Sequence, residues 1–110
     1  MDAILRAIVE PRRRDILRLV QGQERTSGDI ATHFPDVTRP AISQHLRVLE
    51  DAGLLAVRRE GTKRLYRALP ERMAELKSYL EAFWDDRLQL LAREAEAEER
   101  RSPLPDDQRN

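Results

Sequence analysis

Very little in this 110-residue chain is equipped for catalysis: it has two histidines, no cysteine and no glycine-rich phosphate loop. Ser43 and His45 are the nearest approach to a nucleophile and a base, and residues two apart on a helix do not face each other. No carboxylates cluster outside stretches that read as solvated helix faces, so the expectation is no enzyme, no cofactor and no metal site. Between Thr38 and Arg47 the residues suit a different chemistry. Thr38, Arg39, Pro40, Ser43, Gln44, His45 and Arg47 combine hydroxyl, amide, imidazole and guanidinium groups on one stretch. Arg pairs with guanine through two hydrogen bonds, Gln pairs with adenine in the same way, and Ser reaches either base edges or phosphate. No acid interrupts this set before Glu50, whereas a generic solvated face mixes both signs. Taken alone, the polar outer side of any amphipathic helix accounts for it equally well.

A second basic group sits nearby. Arg58, Arg59, Thr62, Lys63 and Arg64 flank Gly61, with Glu60 the only acid among them. Such a hairpin can lie along a phosphate backbone. It can also be an edge hairpin that charge keeps from aggregating. The two groups together favour duplex DNA, with residues 38–52 as base readers and 55–69 on the flanking backbone. Arg12, Arg13 and Arg14 are expected to pair with Asp15 or Glu10 more than with phosphate. His45 lies at the border of the buried face, and His33 reads as structural.

Positioning these groups requires a small helical scaffold. The net charge is zero, but residues 1–67 hold 13 Lys and Arg against 9 Asp and Glu, and residues 68–110 hold 7 against 11. A basic front and an acidic rear can hide a nucleic-acid footprint. No apolar run suits a membrane span, and the start Met1-Asp2-Ala3-Ile4-Leu5-Arg6 does not read as a signal peptide, so a cytoplasmic location is expected. Ile4, Leu5, Ile8 and Val9 give a short helix over 2–9 that stops before Pro11, which opens a second helix ending near Gln21-Gly22. Thr26-Ser27-Gly28-Asp29 has capping spacing for a third helix through His33. Thr38 caps a fourth, which ends at Ala52-Gly53 and buries Ile42, Leu46 and Leu49. Residues 55–60 and 63–69 read as two strands around Gly61, although Leu65, Tyr66 and Leu69 do not share one parity. Pro70 opens a last helix to about Arg101. The fold class is mainly α with a small β-hairpin, a winged helix-turn-helix in the order α-α-α-α-β-β-α. Its parts are a DNA-binding domain over 1–69, a dimerisation helix over 70–101 and a disordered tail over 102–110.

In the last helix, Leu76, Leu80, Phe83, Arg87, Leu90 and Glu94 follow the alternating four-and-three spacing of a coiled-coil seam. Met73, Trp84 and Leu91 widen the stripe beyond what so small a domain covers, so a second subunit is expected to share it. Arg87 should then pair with Asp86, Glu94 or their symmetry mates. Tyr79, Phe83 and Trp84 could instead line an apolar ligand pocket.

Glu10-Pro11-Arg12-Arg13-Arg14-Asp15-Ile16-Leu17, Ile30-Ala31, the run Pro40–Leu49, Ala52-Gly53-Leu54-Leu55 and the run Arg58–Tyr66 resemble the ArsR-type winged-helix transcriptional regulators over roughly residues 3–69. Phe83-Trp84 followed by Arg87-Leu88 resembles a metal-independent subgroup of them. The resemblance implies a homodimeric repressor bound to double-stranded DNA, with the fourth helix in the major groove and the hairpin as the wing. It also implies that the first and last helices form the dimer interface through Ile4, Leu5, Ile8, Leu76, Leu80, Phe83, Trp84, Arg87, Leu90 and Leu91. Metal-sensing members carry cysteines in the third helix or Asp and His in the last. This chain has no cysteine there and no histidine in its last helix. The rival reading is a winged helix that binds a protein partner without touching DNA. The sequence names no inducer.

Overall fold

Glu10 and Pro11 make the first corner. In the computed structural model, which describes residues 1–101, α1 (Asp2–Val9) ends where Glu10 turns extended, at φ −81° and ψ 122°. The residue before a proline avoids the helical region, and the proline ring then suits a helix start. Pro11 accordingly opens α2 (Pro11–Leu19), with the Glu10 carboxylate accepting from the Arg13 backbone N–H at 3.2 Å. Thr26 caps α3 (Ser27–Thr32) by accepting from Asp29 N, and Thr38 caps α4 (Arg39–Asp51) by accepting from Ala41 N. Each hydroxyl satisfies a backbone donor that the helix start leaves open. The end of α4 is as specific. Gly53 takes φ +80°, its N–H donates to the Glu50 carbonyl, and Leu54 N–H donates to the Leu49 carbonyl at 3.0 Å. That left-handed stop aims Leu54 into the core and launches the sheet.

The sheet is where sequence and structure part. Two strands were expected, and three are present: β1 (Arg25–Thr26), β2 (Leu55–Glu60) and β3 (Lys63–Ala68), antiparallel in the order β1-β3-β2. The element order is therefore α-α-β-α-α-β-β-α. β1 pairs Arg25 with Tyr66 and Thr26 with Leu65, covering the outer edge of β3. An unpaired edge is a liability that even two residues relieve. The hairpin turns on Gly61-Thr62, with Gly61 at φ +63°, as a two-residue loop with glycine first requires. The open question of parity resolves with Tyr66 and Ala68 buried opposite Val57 and Leu55. Leu65 and Leu69 stay half-buried.

One core serves the first compact unit, Met1–Leu76. Ile16, Val20, Ile30, Ile42, Leu46, Leu49 and Leu54 are fully buried, joined by Ile4, Leu17, Phe34, Leu55, Tyr66 and Leu76. The three apolar residues expected on the inner side of α4 are all there, so its opposite side faces out. The second unit begins at Lys77 and contains most of α5 (Pro70–Arg101). No helix among the described residues is long and apolar enough to cross a membrane. The expected tail over 102–110 lies outside the described residues.

Candidate nucleic-acid interface

On α4, Thr38, Arg39, Pro40, Ser43, Gln44 and Arg47 are all exposed, and the Arg39 and Arg47 side chains have no hydrogen bond or ion pair among the described residues. The sheet adds to the same side of the unit. Arg59 and Arg64 stand directly opposite each other in the β2–β3 ladder, on the face that carries Tyr66 and Val57 deeper in. Like charges opposite one another are unfavourable in a sheet, and neither makes an ion pair among the described residues. Lys63 and Thr62 complete the exposed tip. One cleft sets Arg39 against Thr62, Lys63 and Arg64, with Ser27 and Gly28 in its lining. The Arg39 guanidinium lies over Gly28, 3.6 Å from where a Cβ would stand. A second cleft joins Ser43, Arg47 and Glu50 to Arg64 and Tyr66. Arg64 is common to both, so helix and wing tip form one continuous surface, on which Arg39, Arg47, Lys63 and Arg64 stand beside the acids Asp29, Glu50 and Asp51 that line the same clefts. Sequence spacing does not reveal the contribution of Ser27 and Gly28, because they meet Arg64 only through the fold.

Arg58 has a different environment from its neighbours on the wing. It lies on the other face of the hairpin, donates to Glu24 at 2.7 and 2.9 Å, and also meets Glu60 at 3.1 Å. The hydrogen bond from Arg58, more than its charge, holds the Glu24 carboxyl below its ordinary value, and the same bond raises Arg58. Arg58 thus ties the wing to the segment before β1. Glu24 carries no sequence signal for this role.

The three arginines of α2 also have partners, though not those expected. Arg12 bonds Asp36 at 2.6 Å, joining α2 to the turn before α4. That hydrogen bond, with one from the Asp36 backbone, lowers the Asp36 carboxyl. Arg13 donates to the carbonyls of Ala7 and Arg6, and Arg14 to those of Ile8 and Val9. Those are the last four carbonyls of α1, which the helix itself leaves without partners. The partial negative charge of a helix end explains why cations are tolerated at the start of α2. Asp15 pairs instead with Arg18. His45, expected among the base readers, is turned towards this corner: its Nδ1 lies 3.5 Å from Arg13 Nη1. His33 is exposed and contacts the Asp29 carbonyl at the end of α3.

The expected interface residues also separate. Ile4 and Leu76 are 5% and 7% exposed, so the unit's own core has claimed them. Leu5 and Ile8 are half-buried, while Val9, which was not among the expected interface residues, is 73% exposed. In the second unit Tyr79, Leu80, Phe83, Trp84, Leu88, Leu90 and Leu91 are between 43% and 60% exposed. Arg87 is exposed too, and pairs with neither Asp86 nor Glu94 within the chain.

Comparison with known proteins agrees with this architecture. A helix-turn-helix domain model matches residues 8–58. The transcriptional repressor SdpR of Bacillus subtilis is 43% identical over 61 residues, which is 56% of this chain and 67% of that protein. The solved structure of an ArsR-like transcriptional regulator from Rhodococcus sp. RHA1 superposes with a TM-score of 0.70 at 30% identity, covering 87% of this chain and 90% of that one. The solution structure of a homodimeric winged helix-turn-helix DNA-binding domain from Mycobacterium bovis gives 0.62 at 32% identity, over 77% and 78% of the two chains. With a capped helix-turn-helix, a Gly-turned wing and these relatives, the chain belongs to the ArsR family of winged helix-turn-helix transcriptional regulators.

Proposed function

We propose that this protein is a dimeric repressor that binds double-stranded DNA at a palindromic operator and acts by occupancy. One observation carries the reading: Arg39, Arg47, Arg59, Lys63 and Arg64 are all exposed, make no ion pair among the described residues, and are gathered on one surface. An unneutralised group of cations is electrostatically unfavourable unless an anion meets it, and duplex DNA presents phosphates at regular spacing. Arg39, Ser43, Gln44 and Arg47 are the base readers, from the N-terminal part of a helix in the major groove. Thr38 and Pro40 border the backbone. Arg59, Thr62, Lys63 and Arg64 follow the flanking phosphates, with Arg58 bracing the wing. The relative named a repressor and the homodimeric relative support the regulatory and dimeric parts.

Dimerisation has its own support. Completing the burial of a half-exposed Leu, Phe or Trp contributes about 1 kcal/mol, and the second unit offers seven large apolar side chains in that state. We assign Leu80, Phe83, Trp84, Leu90 and Leu91 to the subunit contact, with Leu5 and Ile8 contributing from α1 and Arg87 pairing across the seam. The regulator works in the cytoplasm and catalyses nothing, and its residues offer no cysteine or histidine set for sensing a metal.

The test is a binding titration of the full chain against labelled duplexes from upstream of its own gene, over a range of salt. Binding should weaken steeply as salt rises. Gln44→Ala and Arg47→Ala should erase discrimination between duplexes. A protein that ignores every duplex in dilute buffer overturns the assignment.

A further inference from the structure

His45 sits between Gln44 and Arg47 on the reading helix, yet its side chain is only 18% exposed and reaches the α1–α2 corner. There its Nδ1 is 3.5 Å from Arg13 Nη1, and its Nε2 is 4.0 Å from Glu10 Oε2. Both neighbours are themselves pinned. Arg13 donates to the Ala7 and Arg6 carbonyls, and Glu10 accepts from Arg13 N. We infer that His45 is a positioning residue: through the bare Nδ1 of a neutral ring it fixes the rotation of α4 against the α1–α2 corner, and so aims Gln44 and Arg47.

The tautomer follows from the partners. A guanidinium can only donate, so its approach to Nδ1 requires that nitrogen to be unprotonated. The ring proton then sits on Nε2, facing the Glu10 carboxylate. At 4.0 Å that approach is too long for a hydrogen bond, so the contact with Arg13 alone selects the tautomer. A second proton would set an Nδ1–H against Arg13, which cannot withdraw without releasing two carbonyls at the end of α1. Protonation also strengthens the attraction to Glu10, but across the longer separation and to a carboxylate already committed to its cap. Arg6 and Asp51 line the neighbouring groove with Arg13. Asp29 on α3 and Arg58, Arg59 and Glu60 on β2 make no hydrogen bond or ion pair to the ring. A proton placed on Nδ1 would oppose the contact with Arg13, whose guanidinium can only donate.

This inference rests on the DNA-binding reading, and the experiment separates the two. Affinity of the full chain for the upstream duplexes is measured from about pH 8 to about pH 5.5 at fixed ionic strength, for the wild type and His45→Gln, with folding followed by circular dichroism. The wild type should lose about fivefold relative to His45→Gln on acidification, the size of one polar contact, while the two salt slopes stay equal. A wild type that gains relative to the variant has a phosphate-contacting imidazolium, and the inference falls. A constant ratio also overturns it while leaving DNA binding intact. If the wild type binds no duplex at any pH, both readings fall. Should His45→Gln fail to fold, imidazole ¹⁵N NMR of the wild type at high pH decides alone: an Nε2–H ring supports the lock, and an Nδ1–H ring refutes it.

Discussion

The α1–α2 corner and the α4–wing face draw on the same residue type and use it in opposite ways. At the corner, Arg12, Arg13 and Arg14 are consumed by Asp36 and by the four terminal carbonyls of α1. On the reading face, Arg39, Arg47, Arg59 and Arg64 have no hydrogen bond or ion pair among the described residues. Charge counts treat these seven arginines alike. The difference is that a helix end supplies stationary acceptors, whereas the outward side of α4 and the wing tip supply none. A basic patch is defined by the cations that the fold leaves unused.

The comparison can be broken most decisively on the reading face. Replacing Arg39 and Arg47 together by Ala should lower affinity by about 2–6 kcal/mol, taking each bidentate contact at about 1–3 kcal/mol. Stability should stay within about 0.5 kcal/mol, as for surface changes away from structural contacts. Fluorescence anisotropy and urea titration read the two quantities, and a matching loss of stability would erase the distinction between the regions. Arg13→Ala should do the reverse. It leaves carbonyls without partners and should cost about 2 kcal/mol of unfolding free energy, seen as a lower urea midpoint at unchanged slope.

A smaller effect sharpens the division within the interface. Lys63→Ala should weaken binding uniformly across duplexes and reduce the salt slope by about 1. If it instead changes which duplex is preferred, the wing reads bases. The smallest effect concerns acid. Asp36 and Glu24 have carboxyls held below their ordinary values of 3.8 and 4.5 by Arg12 and Arg58 respectively. Their stabilisation is therefore complete above those ordinary values and is lost as pH falls through them towards the lowered ones. Both pairs are exposed, so the effect is modest. Unfolding titrations across this range should show acid destabilisation that Arg12→Ala and Arg58→Ala each partly flatten, and an unchanged pH profile in both variants would show the pairs to be inconsequential.

Much of this was legible because the signals are local. Pro11, the hydroxyls of Thr26 and Thr38, Gly53 and Gly61 each act within a few residues, and the elements begin and end where those residues dictate. The period of Ile42, Leu46 and Leu49 by itself puts the polar side of α4 outward. β1 was not legible, because two residues have no period and Arg25-Thr26 become a strand only when β3 arrives beside them. The same holds for the cleft that Ser27 and Gly28 share with Arg64. Ile4 and Leu76 carry apolar signals that fit a core and an interface equally, and burial alone assigned them to the core.

Local chemistry by itself determined the element boundaries, the outward side of the reading helix and the basic character of the wing, since capping, turn geometry and helical period act over a few residues. Tertiary structure decided which cations are spent and which are free, and turned His45 from the reading face towards Arg13. A salt bridge such as Arg12–Asp36 or Arg58–Glu24 joins residues far apart in the chain. Only the packing of the helices and sheet brings such groups within reach of each other.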